Sequence, residues 1–243
     1  MMQFEGTVAS ITDYSHAGES VAKVFRVDIS GVLGFDFVPG QFVMISAGNV
    51  PSPTDPARPK FSSMSICNAP HEKGFIELCI RMPDRPGVSK YLKEHGRVGG
   101  KIKLKGPFGN FTLANGQVDA VFVATGTGIA PLMSMLRHLL HKNFPGKIWF
   151  FYGCRSGDDF LYRKELEGYQ KKFKNFELHA SFSKAMLGGR MGYIQEVVKN
   201  YSFPKNKEGI HAYVCGNPAS VQQQVDTLKG AGFGEKNIHF EKW

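Results

Sequence analysis

The chain has 243 residues, with 30 Lys and Arg against 21 Asp and Glu for a formal charge of +9, and 42% apolar and 12% aromatic side chains. That length holds one large domain or two of ordinary size, and that composition excludes a disordered chain and a coiled coil. The longest apolar runs, residues 120–124 and 148–152, have strand length, far short of the roughly 20 residues of a membrane span, so no span is expected.

Taken in chain order, the first hundred residues are short segments broken by turn formers. Residues 3–11, 20–28, 41–47, 75–81 and 101–105 have strand length and β-rich composition, punctuated by Pro39-Gly40, Gly48-Asn49 and the proline-rich run 51–56. They predict a small antiparallel barrel or sandwich. One helix is expected over 89–95, after Pro86-Gly87, with Ser89 placed to cap its first turn. Beyond Asn115-Gly116 the period changes. Residues 120–124, 147–152, 176–181 and 212–215 read as buried strands, and helical spacing marks 132–140, 161–172, 193–199 and 219–231. Such alternation predicts a doubly wound parallel α/β sheet whose ligand lies beyond the carboxyl ends of its strands. The boundary falls near 113–116, giving domains 1–113 and 114–243.

Cys67, Cys79, Cys154 and Cys215 form no Cys-x-x-Cys pair, so no metal or iron–sulfur centre is expected and redox chemistry must come from an organic cofactor. Residues 1–114 carry 13 basic and 10 acidic groups, net +3, and residues 115–243 carry 17 and 11, net +6. No run of five like charges occurs, so a basic, solvated surface is favoured over nucleic-acid binding. The opening Met1-Met2-Gln3-Phe4-Glu5-Gly6 has no basic segment followed by an apolar one, and a cytoplasmic location is expected.

Between strand 120–124 and its helix stands Thr125-Gly126-Thr127-Gly128-Ile129-Ala130-Pro131. Its glycines let backbone amides approach an anion, and the helix start presents free N–H groups and a positive dipole end; a merely tight turn is the alternative. Pro131 stands where a dinucleotide fingerprint has its third glycine. Four further stretches accompany it: Pro39-Gly40-Gln41-Phe42, Gly106-Pro107-Phe108-Gly109-Asn110-Phe111, Cys215-Gly216-Asn217-Pro218 and Glu241-Lys242-Trp243.

In this order and spacing the chain resembles the ferredoxin–NADP reductase family, which also contains oxygenase reductases and flavodoxin reductases. The resemblance implies a Greek-key FAD-binding β-barrel followed by an NAD(P)-binding α/β domain, with hydride passing between nicotinamide and flavin. It makes Ser65, before Ile66-Cys67-Asn68-Ala69-Pro70, the serine near flavin N5. Ser62 and Met64 then replace the family's Arg and Tyr, with a register slipped to Arg58, Lys60 and Phe61 as the alternative. Lys60 lies two residues before Ser62 and would supply the missing charge. Cys79-Ile80-Arg81 and Gly87-Val88-Ser89 are similar to the next flavin segments, and the amides and hydroxyl of the latter suit the pyrophosphate of FAD. Cys215, with Gly216, and Glu241 resemble the residues lining the nicotinamide pocket, and Trp243 the aromatic that covers the flavin until nicotinamide displaces it.

Arg155 and Ser183-Lys184 follow the ends of expected strands and Arg190 sits in Gly188-Gly189-Arg190; several cations at one spot suit the 2′-phosphate of NADP(H), with NAD(H) as the alternative. The expected function is a flavoprotein reductase exchanging electrons with a small acidic carrier such as ferredoxin or flavodoxin. Two alternatives stand beside it: an NADH-using reductase component of an oxygenase or other multi-subunit redox enzyme, and a non-catalytic relay module.

Overall fold

In the computed structural model, residues 1–16, 18–184 and 190–242 are described, with the backbone alone at Arg190. The chain divides into two compact units, Met1–Thr112 with Met133–His141, and Leu113–Leu132 with Lys142–Trp243.

The first unit is built from β1 (Met2–His16), β2 (Glu19–Asp28), β3 (Phe42–Ser46), β4 (Ser62–Ser65), β5 (Phe75–Arg81) and β6 (Lys101–Phe108). They form one antiparallel sheet in the order β4-β3-β6-β1-β2-β5, a Greek-key arrangement. A bridge from Ile66 to Leu78 brings the two edges together, so the sheet nearly closes into a barrel. Alternation drives this: Val43 and Ile45, Ile76, Leu78 and Ile80, and Ile102 and Leu104 are buried inside, while lysines fill the outer positions of β6.

α1 (Val88–His95) joins this core through Val88 and Leu92, each worth about 1.5–3 kcal/mol of burial. Its N-cap is Gly87, and no side chain caps it. Ser89 therefore lies inside the first turn and does not perform the capping expected of it, because the cap position belongs to a residue without a side chain.

The second unit contains β7 (Asp119–Thr125), α2 (Ile129–His141), β8 (Ile148–Cys154), α3 (Arg163–Lys172), β9 (Phe176–Phe182), β10 (Arg190–Met191), α4 (Ile194–Lys199), β11 (Ile210–Gly216), α5 (Pro218–Gly230) and β12 (Ile238–Lys242). All six strands are parallel, in the order β10-β9-β8-β7-β11-β12. A parallel strand covered on both faces must be apolar on both, and residues 120–124 of β7 are fully buried. The second half of α2 groups with the barrel unit: Ser134 Oγ donates to Asn68 O at 2.8 Å, and Arg137 to Cys67 O at 3.0 Å and Glu77 Oε1 at 2.8 Å. Edge strands β10 and β12 were not expected, since β10 has two residues and β12 alternates polar and apolar side chains.

No described helix is long and apolar enough to cross a membrane. Among the described residues, no group of three His, Cys, Asp or Glu is placed to hold a metal.

Candidate functional site

In the barrel unit, β3 sets the orientation of β4. Val43 and Ile45 face the core, so their partners Met64 and Ser62 share that side; Phe42 and Met44 face outward with Ser65 and Ser63. Met64, half-buried, packs against the barrel core. Ser65 pairs with Phe42, whose ring lies 5.7 Å from that of Phe108. Gln41 ties the same corner by donating to Gly109 O at 3.1 Å and accepting Ile66 N at 3.0 Å through its carbonyl. The Pro39-to-Phe42 and Gly106-to-Phe111 stretches therefore meet beside Ser65.

Lys60 reaches the start of α1. A Cβ built on Gly87 would lie 3.3 Å from Lys60 Nζ, and Gly87 has φ +153°. The first turn contains no acid and no side-chain cap, so its free amides are open to an anion, and the Lys60 ammonium stands near the cap residue. A cation beside an uncapped helix start favours an anionic group there. Ser89 is half-buried there, whereas Val88 belongs to the core. On β5, Ile80 points into the core and Cys79 is buried; Arg81 is exposed. Burial first, then neighbouring Cys67 and Glu77, holds the Cys79 thiol well above its ordinary range, so it is no nucleophile.

In the α/β unit, the chain runs from β7 outward to β8, β9 and β10, then returns to β11 on the other side of β7. Ligands of such sheets bind where this reversal opens a crevice at the carboxyl ends. Gly126 and Gly128 form a single 3₁₀ turn there, with different tasks. At Gly128 a Cβ would overlap the Cys215 carbonyl, so its absence lets the turn lie against β11; at Gly126, with φ +54°, the space is open. Thr127 is half-buried, and Ala130 and Pro131 are buried in the first turn of α2. Thr125 Oγ1 donates to Ser220 Oγ at 3.3 Å, beside the start of α5 that Asn217 caps.

Register places Cys215 next to Ala124 on one side and Glu241 on the other. Cys215 is buried, with Gly216 following it, and burial raises the Glu241 carboxyl above the ordinary 4.5. Two residues before Glu241 on β12, His239 Nε2 lies 2.8 Å from His211 Nδ1. Burial lowers both imidazoles, and His211 lowers His239 further. This pair was not anticipated, because histidines 28 positions apart meet only through the β11–β12 register.

The cations gather at the ends of β8 and β9. Ser183 N donates to Cys154 O at 3.0 Å and Lys184 N to Arg155 O at 2.9 Å, which aligns Arg155, Ser183 and Lys184. Arg155 Nε is 3.5 Å from buried Asp159. The Arg190 backbone pairs with Ser181, while its side chain lies outside the described structure, as do residues 185–189 and Trp243. Met191 and Tyr193, 68% and 66% exposed, flank Gly192, whose carbonyl accepts from Ser181 Oγ. Tyr193 is the N-cap residue of α4 and leaves its ring exposed, whereas the helical pattern marks it as a helix residue.

Residues 8–113 match the oxidoreductase FAD-binding domain and residues 122–226 the oxidoreductase NAD-binding domain. The chain is 27% identical to the phenol hydroxylase P5 protein of Acinetobacter pittii over 248 aligned positions, covering 100% of this chain and 66% of that protein. It is 27% identical to the anthranilate 1,2-dioxygenase electron transfer component of Acinetobacter baylyi, covering 96% and 66%. The chain thus spans just under two thirds of the length of these curated relatives. Among solved structures, a ferredoxin NADP+ reductase from Neisseria gonorrhoeae with bound FAD and NADP superposes with TM-score 0.83 at 17% identity, covering 99% of this chain and 98% of that one. With an oxidoreductase FAD-binding domain followed by an oxidoreductase NAD-binding domain, the chain belongs to the FAD- and NAD-binding oxidoreductases, and its fold is that of the ferredoxin reductases.

Proposed function

We propose that the chain is an FAD-dependent reductase that takes hydride from NADPH and delivers electrons singly to a separate redox protein. One observation supports this reading: each unit presents a glycine-opened helix start without a side-chain cap, with Lys60 beside Gly87 in the barrel unit and the open Gly126 turn at the switch point of the other. Bound FAD supplies a two-electron acceptor able to pass its electrons on one at a time.

The residues divide the remaining work. Lys60 and the amides of 87–89 hold the pyrophosphate, and Ser65 offers its hydroxyl to the flavin N5 edge. Thr125, Gly126 and Thr127 receive the nicotinamide dinucleotide's pyrophosphate. Cys215 and Glu241 bound the nicotinamide end, where alignment matters more than acid–base chemistry because hydride moves directly. Trp243, outside the described residues, is assigned its screening role by the resemblance alone. Arg155, Ser183, Lys184 and Arg190 hold the 2′-phosphate. Changing Arg155 and Lys184 together to Ala should raise KM for NADPH about 10-fold or more and leave NADH use unaltered. Equal losses with both nucleotides would remove the 2′-phosphate assignment.

A second reading is an NADH-dependent reductase component of an oxygenase. It draws support from the phenol hydroxylase and anthranilate dioxygenase relatives and from Asp159, whose carboxylate beside Arg155 offsets part of the charge a 2′-phosphate needs. Steady-state rates with both nucleotides, against ferricyanide and a panel of carriers, separate the two.

A further inference from the structure

Two histidine pairs lie outside the residues assigned to nucleotide binding, and they differ in kind. His71 and His141 are stacked face to face, ring centres 3.6 Å apart and planes 8° apart, so their nitrogen lone pairs, which lie in the ring planes, are not directed at one another. His211 and His239 meet edge to edge instead. Their planes differ by 10° with centres 5.2 Å apart, and His211 Nδ1 is 2.8 Å from His239 Nε2. At that distance one nitrogen carries the hydrogen and the other accepts it. Burial lowers both imidazoles, so the two rings are uncharged at neutral pH and meet without repulsion.

This bond crosses the seam between β11 and β12, and β12 is an edge strand of five residues with a neighbour on one side only. Such segments open at a lower free energy than central strands. The face of His239 is also held: it stacks on Tyr213, 5.0 Å between centres and 17° between planes. Tyr213 is buried, and its hydroxyl accepts from Ala114 N at 2.8 Å and donates to Gln117 Oε1. One imidazole is thus fixed at its edge by β11 and on its face by a ring whose own hydroxyl is tied down.

Strand alternation carries this anchoring to the nicotinamide end. Tyr213 and His239 are register partners, as are Cys215 and Glu241 two residues further on, so all four side chains lie on one face of the sheet. Glu241 is half-buried, and among the described residues it has no hydrogen-bond or ion-pair partner. Its carboxyl is therefore aimed by the path of β12 alone. The next tie along the strand, Lys242 Nζ donating to Gln222 Oε1 at 3.1 Å, is exposed, which leaves the part-buried imidazole pair as the firmer polar anchor.

We propose that His211 and His239 are positioning residues for hydride transfer: their hydrogen bond fixes β12 against β11 and so sets where the Glu241 carboxyl stands. The proposal rests on the reductase reading, in which Glu241 bounds the nicotinamide end, and extends it to two residues to which that reading gives no contact with nucleotide or flavin. Alignment at reacting atoms is demanding, a displacement of about 1 Å costing up to ~100-fold in rate. The groups assigned to the nucleotide's phosphates follow β7, β8 and β9 and do not depend on β12, so the effect belongs to rate and not to affinity.

The test uses the FAD-loaded full chain in anaerobic stopped flow, reading the limiting rate of flavin reduction by NADPH and the nucleotide concentration that half-saturates it. His239→Ala and His211→Ala should each lower the limiting rate about 10-fold, and together no further than either alone, with half-saturation kept within about 3-fold. His239→Gln, whose amide can give or accept a hydrogen bond, should recover the rate to within about 3-fold of the unaltered protein. In a Glu241→Ala background, itself slowed, His239→Ala should cost nothing more, because no carboxyl remains to be positioned. His71→Ala, the control, should stay within about 2-fold. The positioning role is overturned if the rate survives both alanine variants, if Gln does not repair the loss, if the loss persists in full when Glu241 is Ala, or if His71→Ala falls equally. An unchanged rate in Glu241→Ala would overturn it together with the Glu241 assignment. Failure of both NADPH and NADH to reduce the flavin of the unaltered protein would instead overturn the reductase reading.

Discussion

At the scale of single residues, the proposed role of Lys60 gives the sharpest prediction. The family pattern puts a cation at the position of Ser62, two residues later, and the loss of that cation was legible. Its replacement was only half legible: strand alternation brought Lys60 to the same face, but its approach to Gly87 depends on where α1 begins, which no local pattern encodes. A charge-assisted contact of this kind contributes about 1.5–3 kcal/mol. Lys60→Ala should therefore weaken FAD binding at least ~10-fold by fluorescence titration, with Lys60→Arg restoring most of it. Unchanged affinity in the Ala variant would return the pyrophosphate to the amides alone. Glu241 gives a pH-dependent prediction. Burial raises its carboxyl above 4.5, so the folded chain binds that proton more tightly than the unfolded chain does. The neutral form favours folding fully below pH 4.5, and this advantage is lost as pH rises through the elevated value. Glu241→Gln should accordingly raise Tm in neutral and mildly alkaline buffer and bring no gain in acid; a gain at every pH would point to packing.

At the scale of elements, the strands and helices with clean periods were the readable ones. β7 and β8 announce themselves as unbroken apolar runs because parallel strands are buried on both sides, whereas β12 alternates Ile238, His239, Phe240 and Glu241 and resembles a loop in isolation. The cap of α1 was misread because Ser89 is a good capping type, while the chain geometry makes Gly87 the cap. α5 shows the opposite case: Asn217 accepts Ser220 N at 3.0 Å and Pro218 opens the helix. Asn217→Ala should cost about 1 kcal/mol in chemical denaturation, and a cost below the error of the measurement would show that the orphan amides find other partners. The Gly128 turn is stricter. Because an added Cβ would meet backbone rather than a movable side chain, Gly128→Ala must displace the end of β11. It should reduce both stability and nicotinamide binding, while Gly126→Ala strains only its own φ.

At the scale of the whole molecule, the order of motifs in the sequence was enough to expect a barrel followed by a doubly wound sheet. What sequence left open was which scattered groups converge. Arg155 and Lys184 are 29 positions apart in the chain and are aligned by the β8–β9 register. Both units must act on one reaction if the reductase reading holds, and anaerobic reduction reports on both at once. Purified protein loaded with FAD and mixed with NADPH should lose its visible flavin absorbance within the time of a stopped-flow experiment, and regain it on addition of oxidised ferredoxin. A chain that takes up no FAD, or whose bound FAD keeps its colour with NADPH and NADH alike, would contradict it.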